Sequence, residues 1–169
     1  MIDEAYHEFA GRSVVPLLND HDNLVVLRTF SKAMALAALR VGYLMTEPRL
    51  AREIRKAVLP YNLNVFSQIA AEVAMENYET ELRPLVKQIV AERDRLFGEL
   101  SRIDRLTPVE SEANFIVVKS ATDPTRIFAD LLKHDILIRD VSGYPMLREY
   151  FRFSVGTPEE NDKLLKAIK

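Results

Sequence analysis

The segment at residues 80–103 constrains the fold most, because it is the longest stretch with a regular pattern. Apolar residues recur in it close to every 3.6 positions, and arginine and glutamate occupy the opposite face. This pattern predicts one long helix, with Pro84 in its first turn or kinking it. A helix of this length often bridges two domains. We therefore expect a boundary near its start, between residues 1–80 and residues 81–169.

The part that follows the long helix alternates short strand and helix patterns. Apolar, β-branched and aromatic runs predict strands, and capping residues followed by proline predict helices. The predicted strands are 113–119, 136–141 and 150–155, and the predicted helices are 123–134 and 157–169, capped by Asp123 and Thr157. The order strand, helix, strand, strand, helix is typical of a small α+β layer.

The part before the long helix contains two further strand patterns and two further helix patterns. The predicted strands are 23–30 and 39–46, and the predicted helices are 47–58, begun by Pro48, and 67–78, with Ser67 as a possible cap. Only two apolar residues precede Asp3, so a strand that ends at this aspartate would be unusually short. We therefore expect the chain to be a piece of a longer protein.

Balanced charge and the absence of cysteine exclude several classes of function. The chain carries 23 basic and 25 acidic residues, whereas a surface that binds nucleic acid or an anionic membrane needs clustered lysine and arginine. The charge balance therefore argues against either as the main partner. Without cysteine there is no disulfide framework and no thiolate zinc site. The longest apolar run, Ala33 to Leu39, is far shorter than the roughly 20 residues that span a bilayer. No signal peptide is recognisable, and we expect a soluble cytoplasmic protein.

Two arginines near the end of the chain are candidates for binding an anion. Alternation in FRFSV directs Phe151, Phe153 and Val155 towards the core and Arg152 to the opposite face. Arg152 therefore faces either water or a cleft, and a lone arginine in a strand is more often an exposed edge residue. Arg139 in ILIRDV is equally ambiguous. Together the two could bind a carboxylate or a phosphate through bidentate hydrogen bonds.

Other polar residues are ambiguous as well. Asp3 and Tyr6 could form a site at a strand end, although a helix start or a turn explains the same pattern. Asp20, His21 and Asp22 could be imagined as a metal site. Adjacent residues in extended backbone point in opposite directions, so we expect a turn there and no metal. The sequence has no G-x-G-x-x-G phosphate loop and no serine–histidine pair at a recognisable spacing.

Four segments are distinctive when taken in order. They are DEAYHEF (3–9), TFSKAMALAALRVGY (29–43), ILIRD (136–140) and FRFSVGTPEEN (151–161). In this order they resemble the pyridoxal-phosphate-dependent aminotransferases of fold type I, and within that family the histidinol-phosphate aminotransferases. The resemblance covers nearly the whole chain and only the C-terminal half of the family. It implies an α/β fold, with residues 1–80 as the remnant of the large cofactor-binding domain and residues 81–169 as the bridging helix and small α+β domain.

The resemblance also implies a role for each motif. Lys32, of the SK pair, would bind the cofactor aldehyde covalently and carry the α-proton of the substrate. Cofactor binding is further implied for Asp3 at the pyridinium nitrogen, Tyr6 at the ring oxygen, and Thr29, Ser31 and Arg40 at the phosphate. Arg139 and Arg152 would bind the anionic end of the substrate. The implied activity is amino transfer between histidinol phosphate and 2-oxoglutarate in histidine biosynthesis, by a homodimer.

The chain departs from the family in two respects. Ala35 and Ala38 stand where glycine is usual, which would crowd the loop if either residue needs a positive φ. The N-terminal half of the family, with a phosphate-binding loop and a ring-stacking aromatic, has no counterpart in this sequence, so we expect the chain alone to be weakly active or inactive. Two alternatives remain open. One is a pyridoxal-phosphate lyase similar to the threonine-phosphate decarboxylases, and the other is a non-catalytic remnant that acts as an association module.

Overall fold

Two sheets organise the chain, one in each of the two compact units into which the computed structural model divides. Residues 1–86 contain a three-stranded sheet, and residues 87–169 contain a four-stranded sheet. The structure describes all residues from 1 to 169. The assignment of residues 1–80 and 81–169 to the two domains of an enzyme stays a prediction.

Residues 1–86 form a sheet in the order β1–β2–β3. β1 (Ile2–Asp3) runs parallel to β2 (Val25–Thr29), and β3 (Gly42–Thr46) runs antiparallel to β2. The helices of this unit are α1 (His7–Ala10), α2 (Pro48–Arg55) and α3 (Val65–Glu76), and α4 (Arg83–Leu100) begins in it. Its main apolar cluster is built from Phe30, Met34 and Val41, which lie in and around the connection between β2 and β3.

Two sequence predictions for this unit are wrong at their boundaries. The strand expected at 39–46 begins only at Gly42, because Ala37–Leu39 form a 3-10 helix and Arg40 adopts a left-handed backbone with φ of +57°. The helix expected to start at Ser67 starts at Val65. Its cap is Asn64, whose side chain accepts a hydrogen bond from the backbone N–H of Ser67. Ser67 lies inside the helix and is fully buried.

Residues 87–169 form an antiparallel sheet in the order β4–β5–β7–β6. The strands are β4 (Leu106–Pro108), β5 (Phe115–Ser120), β6 (Arg139–Asp140) and β7 (Tyr150–Ser154), and the helices are α5 (Pro124–Leu132) and α6 (Pro158–Ile168). Phe151 and Phe153 are buried, as the alternation in FRFSV predicts. They share a core with α4, α5 and α6, to which Leu96, Leu131 and Leu165 belong.

Local capping signals predicted the helices of this unit well. The Asp123 side chain accepts from Thr125 N–H at 2.8 Å, and Thr157 forms a complete capping box with Glu160. The long helix is confirmed as α4, with Pro84 in its first turn, although residues 78–82 form a π-helical turn before it. The strand expected at 136–141 is wrong in length, because only β6 pairs with β7. Among the helices of residues 1–169 we find no candidate for a membrane-spanning segment.

Candidate functional site

The first sheet has one edge at which β1 and β2 end and β3 begins. Asp3 pairs with Leu27, and Thr29 pairs with Gly42. Parallel strands deliver their last residues to the same edge of a sheet, and ligands of open α/β sheets commonly bind outside that edge. The predicted site residues in or next to this edge are Asp3, Tyr6, Thr29, Ser31, Lys32 and Arg40.

A buried carboxylate that the sequence analysis missed fixes the turn after β1. Glu4 accepts hydrogen bonds from Val14 N–H at 2.6 Å and from Ser13 Oγ at 2.9 Å, and it pairs with the Arg28 guanidinium at 2.9 Å. Burial by itself raises the pKa of Glu4, but the hydrogen bonds and the charge of Arg28 together hold the pKa below its ordinary value. The network ties the turn after β1 to β2.

Lys32 and Tyr6 lie close together. The Lys32 ammonium nitrogen is 5.4 Å from the centroid of the Tyr6 ring, within the range of a cation–π contact. The Tyr6 ring also neighbours Phe9, whose ring centroid is 6.5 Å from that of Tyr6. Asp3 is exposed, and its Oδ1 accepts from Ala5 N–H at 2.9 Å, which orients the carboxylate at the end of β1.

Thr29 and Ser31 form a hydroxyl pair at the end of β2. Their side-chain oxygens are 2.9 Å apart, and Thr29 Oγ1 also accepts from Ser31 N–H at 3.0 Å. The same Thr29 hydroxyl lies 3.2 Å from the carbonyl oxygen of Val41. Through Val41 the hydroxyl pair is therefore linked to the segment just before β3, which contains Arg40.

The loop between β2 and β3 contains two residues with left-handed backbone. Ala35 has φ of +56° and Arg40 has φ of +57°, whereas Ala38 lies outside that region. The expected crowding therefore concerns Ala35 alone. The exposed Arg40 guanidinium donates to Ala37 O at 3.0 Å rather than to the hydroxyl pair. A ligand oxygen beside Arg40 would have to compete with this carbonyl.

In the second unit, Arg139 and Arg152 are brought together. They lie directly opposite each other on β6 and β7 and therefore share a face of the sheet. The Arg152 guanidinium carbon is 4.7 Å from the centroid of the Phe115 ring, and Arg152 Nε is buried without a hydrogen-bond partner. Like charges directly opposite each other destabilise a strand pair, and a buried unpaired donor adds to that cost. An anion would relieve both.

The acidic and histidine residues at 20–22 lie in a turn, as predicted. Leu24 N–H donates to His21 O at 3.3 Å, which closes the turn before β2. Within residues 1–169, no group of three or more histidine, aspartate and glutamate side chains is arranged to hold a metal ion.

Comparison with known proteins relates the whole chain to one family. The family model described as "Aminotransferase class I and II" matches residues 1–168. "Histidinol-phosphate aminotransferase 1" of Carboxydothermus hydrogenoformans is 49% identical over 168 residues, which cover 99% of this chain and 47% of that protein. The chain spans about half the length of the curated relatives it matches.

Solved structures share the fold. The histidinol-phosphate aminotransferase from Clostridium acetobutylicum matches with a TM-score of 0.90 and 28% identity, over 99% of this chain and 52% of its own. That of Sinorhizobium meliloti, solved in complex with pyridoxal-5'-phosphate, matches with a TM-score of 0.82 and 30% identity, over 98% and 46%. L-threonine-O-3-phosphate decarboxylase from Porphyromonas gingivalis, with a TM-score of 0.86 and 21% identity over 98% and 52%, shows the fold alone.

These findings confirm the predicted fold class and the predicted resemblance. The family match runs through both compact units without a break, and the four motifs on which the resemblance rested all fall within it. Matched along 168 of its 169 residues, the chain belongs to the class I and II aminotransferases, a family of enzymes.

Proposed function

We propose that this protein transfers an amino group between histidinol phosphate and 2-oxoglutarate, with pyridoxal phosphate as its cofactor. The relative that is 49% identical is a histidinol-phosphate aminotransferase, which supports the choice of substrate. The observation that carries the proposal is the pairing of the Lys32 amine with the Tyr6 ring at 5.4 Å, beside the strand ends that hold Asp3 and the hydroxyl pair.

The donor set at this edge fits the chemistry of pyridoxal phosphate. We assign the phosphate to Arg40 and to the hydroxyls of Thr29 and Ser31, because a guanidinium and two hydroxyls are suited to an anion. Asp3 would keep the ring nitrogen protonated, and the Tyr6 hydroxyl would donate to the ring oxygen.

Lys32 has the reactive role in this proposal. The cofactor, when bound, supplies an electron-withdrawing ring that makes the substrate Cα–H acidic. Lys32 Nζ would bind the cofactor aldehyde until the substrate amine displaces it. The released amine would then accept the α-proton of the substrate and donate a proton back, so one group acts first as base and then as acid. Tyr6 would limit the positions of the Lys32 side chain through its ring.

Arg139 and Arg152 are proposed to bind the anionic end of each substrate. The buried, unpaired Arg152 Nε supports this role, since an oxygen of a phosphate or carboxylate would satisfy it. Histidinol phosphate would present its phosphate there, and glutamate or 2-oxoglutarate would present a carboxylate. Two guanidinium groups bind either kind of anion, which suits an enzyme that accepts two substrates in turn.

Self-association is proposed on a separate observation. The helix α3 exposes apolar side chains, with Phe66 at 77% and Val65, Ile69 and Val73 each above half exposed. A contiguous exposed apolar face commonly marks a protein–protein contact. It suits the expected homodimer, and it equally suits the alternative of a non-catalytic association module. We also retain the expected cytoplasmic location as part of the proposal.

Product analysis tests the proposed reaction. The purified chain, at a concentration close to that of its substrates, would be incubated with pyridoxal phosphate, histidinol phosphate and 2-oxoglutarate. The glutamate formed would be measured by mass spectrometry. We expect slow glutamate formation that Lys32→Ala abolishes and Lys56→Ala preserves, since Lys56 pairs with Glu53 on the surface of α2. Glutamate formation at the same rate by the original chain and by Lys32→Ala would contradict the proposal. In a parallel incubation with threonine phosphate, release of carbon dioxide would favour the lyase.

A further inference from the structure

Arg40 keeps a backbone conformation that its side chain disfavours. Its φ of +57° and ψ of +39° lie in the left-handed region, where glycine is the usual residue. Such conformations persist only when the surrounding structure holds them, and they concentrate at functional sites. A glycine would relax the backbone but would remove the guanidinium. The question is therefore what holds Arg40 in place.

The peptide group that enters Arg40 is held by a side chain that is distant in the sequence. The carbonyl of Leu39, which belongs to the peptide bond entering Arg40, accepts a hydrogen bond from Ser67 Oγ at 2.9 Å. One residue further on, the carbonyl of Val41, which belongs to the Val41–Gly42 peptide group, accepts from Phe30 N–H at 3.1 Å. The orientation of the Leu39 carbonyl fixes the plane of the entering peptide group and thereby restricts φ of Arg40.

Ser67 is itself oriented by one neighbour. It is fully buried in the first turn of α3, 28 residues from Leu39 in the sequence. The Asn64 side chain donates from Nδ2 to Ser67 Oγ at 2.8 Å and accepts from Ser67 N–H at 2.9 Å. Because Asn64 occupies an acceptor position of the hydroxyl, the hydroxyl hydrogen is directed to Leu39 O.

We infer that Ser67, oriented by Asn64, is a positioning residue that holds Arg40 in the conformation from which it binds the cofactor phosphate. This inference rests on the proposed phosphate role of Arg40. Ser67 touches no reacting atom in this arrangement and acts only through the Leu39–Arg40 peptide group. The Asn64 side chain has two separable functions, since Oδ1 caps α3 and Nδ2 orients the serine.

Two variants isolate the positioning bond from the helix cap. Ser67→Ala removes the hydroxyl and leaves the backbone N–H that Asn64 caps. Asn64→Asp keeps an acceptor for that N–H but replaces the donor to Ser67 Oγ with an oxygen, which competes for the hydroxyl hydrogen. The matched control is Thr46→Val, which removes a similar side-chain bond to a backbone carbonyl, Thr46 Oγ1 to Leu24 O at 2.6 Å, at the far end of β3.

The first measurement is the backbone of Arg40 in the unliganded chain, by the NMR coupling between its amide and α protons and by its Cα chemical shift. We expect Ser67→Ala and Asn64→Asp to lose the left-handed signature and Thr46→Val to retain it. If Ser67→Ala proves unstable, Asn64→Asp still decides the point, because its helix cap is intact. A left-handed Arg40 in both variants would overturn the inference.

The second measurement is the preference for pyridoxal phosphate over pyridoxal, which lacks the phosphate. Each would be titrated and trapped with borohydride, and the modified fraction at position 32 would be quantified by peptide mapping. We expect Arg40→Ala to reduce the preference roughly tenfold or more, and Ser67→Ala to reduce it about three- to tenfold. Thr46→Val should leave it unchanged.

The two ways of failing are distinguishable. If Arg40→Ala reduces the preference and Ser67→Ala does not, the positioning role is wrong and the phosphate role of Arg40 stands. If Arg40→Ala leaves the preference unchanged, or the unaltered chain shows none, the phosphate role is wrong, and with it the functional part of the inference. In the Arg40→Ala background, Ser67→Ala should have no further effect on the preference.

Discussion

The methyl group of Ala35 should lower the stability of the folded protein. Its φ of +56° places it in the left-handed region, where an L-residue with a Cβ loses roughly 1–2 kcal/mol. The turn is fixed by Ala35 N–H to Lys32 O and by Leu36 N–H to Phe30 O, both at 3.0 Å, so the residue cannot relax by itself. Ala35 is exposed, and its methyl group contributes little burial.

Replacement of Ala35 by glycine should therefore stabilise the protein. The strain of roughly 1–2 kcal/mol is relieved, and the greater flexibility of glycine in the unfolded chain costs about 0.5–1 kcal/mol. The expected net gain is about 0.5–1 kcal/mol. The matched control is Ala38→Gly, which is exposed in the 3-10 helix without a positive φ and should lose about 0.5–1 kcal/mol.

Urea unfolding followed by far-UV circular dichroism measures both variants. With a slope of about 1–3 kcal/mol per molar urea, the midpoints should move by a few tenths of a molar in opposite directions. The original chain should lie between them. The reasoning fails if Ala35→Gly unfolds at the same urea concentration as Ala38→Gly, or at a lower one.

Three further predictions concern other parts of the chain. Glu4→Gln should lower the free energy of unfolding by about 2–3 kcal/mol, because Arg28 is left with a weaker partner. The folded state lowers the pKa of Glu4 from 4.5, so the stabilisation by the Glu4 carboxylate is complete above that pH and is lost as the pH falls through the folded-state pKa. If the free energies of unfolding of the original chain and of Glu4→Gln depend on acid pH in the same way, this prediction is wrong. Phe66→Asp should shift sedimentation towards the monomer, whereas an unchanged distribution would remove α3 from the contact. Inorganic phosphate should shift the Arg152 Nε–H NMR signal, and Arg139→Ala should weaken that response several-fold; no response in the unaltered protein would argue against an anion site.

Features encoded by neighbouring residues could be predicted from the sequence. Asp123 and Thr157 cap helices through partners two or three residues away, so the pattern itself contains the interaction. The alternation that buries Phe151 and Phe153 is equally local. The fold class and the candidate residues followed from four motifs and their order. The family match confirms the fold class, and the roles of the candidate residues stay predictions.

Features that depend on distant partners could not be predicted. The strand expected at 39–46 starts late because Ala37–Leu39 form a 3-10 helix, and the carbonyl that ends this helix accepts a hydrogen bond from Ser67, 28 residues away. Glu4 resembles any surface glutamate until its partners are known, and Arg28 is 24 residues from it. β4 was missed because a three-residue segment that ends in Pro108 becomes a strand only by pairing with β5.

The central claim is that the Lys32 amine is the group that binds the cofactor. The most direct test is to incubate the chain with pyridoxal phosphate, reduce it with borohydride and map the modified peptides by mass spectrometry. The account predicts that Lys32 is modified in clear preference to the other lysines, and that the preference falls in Arg40→Ala. Modification spread evenly over the lysines, or concentrated at another one, would contradict it.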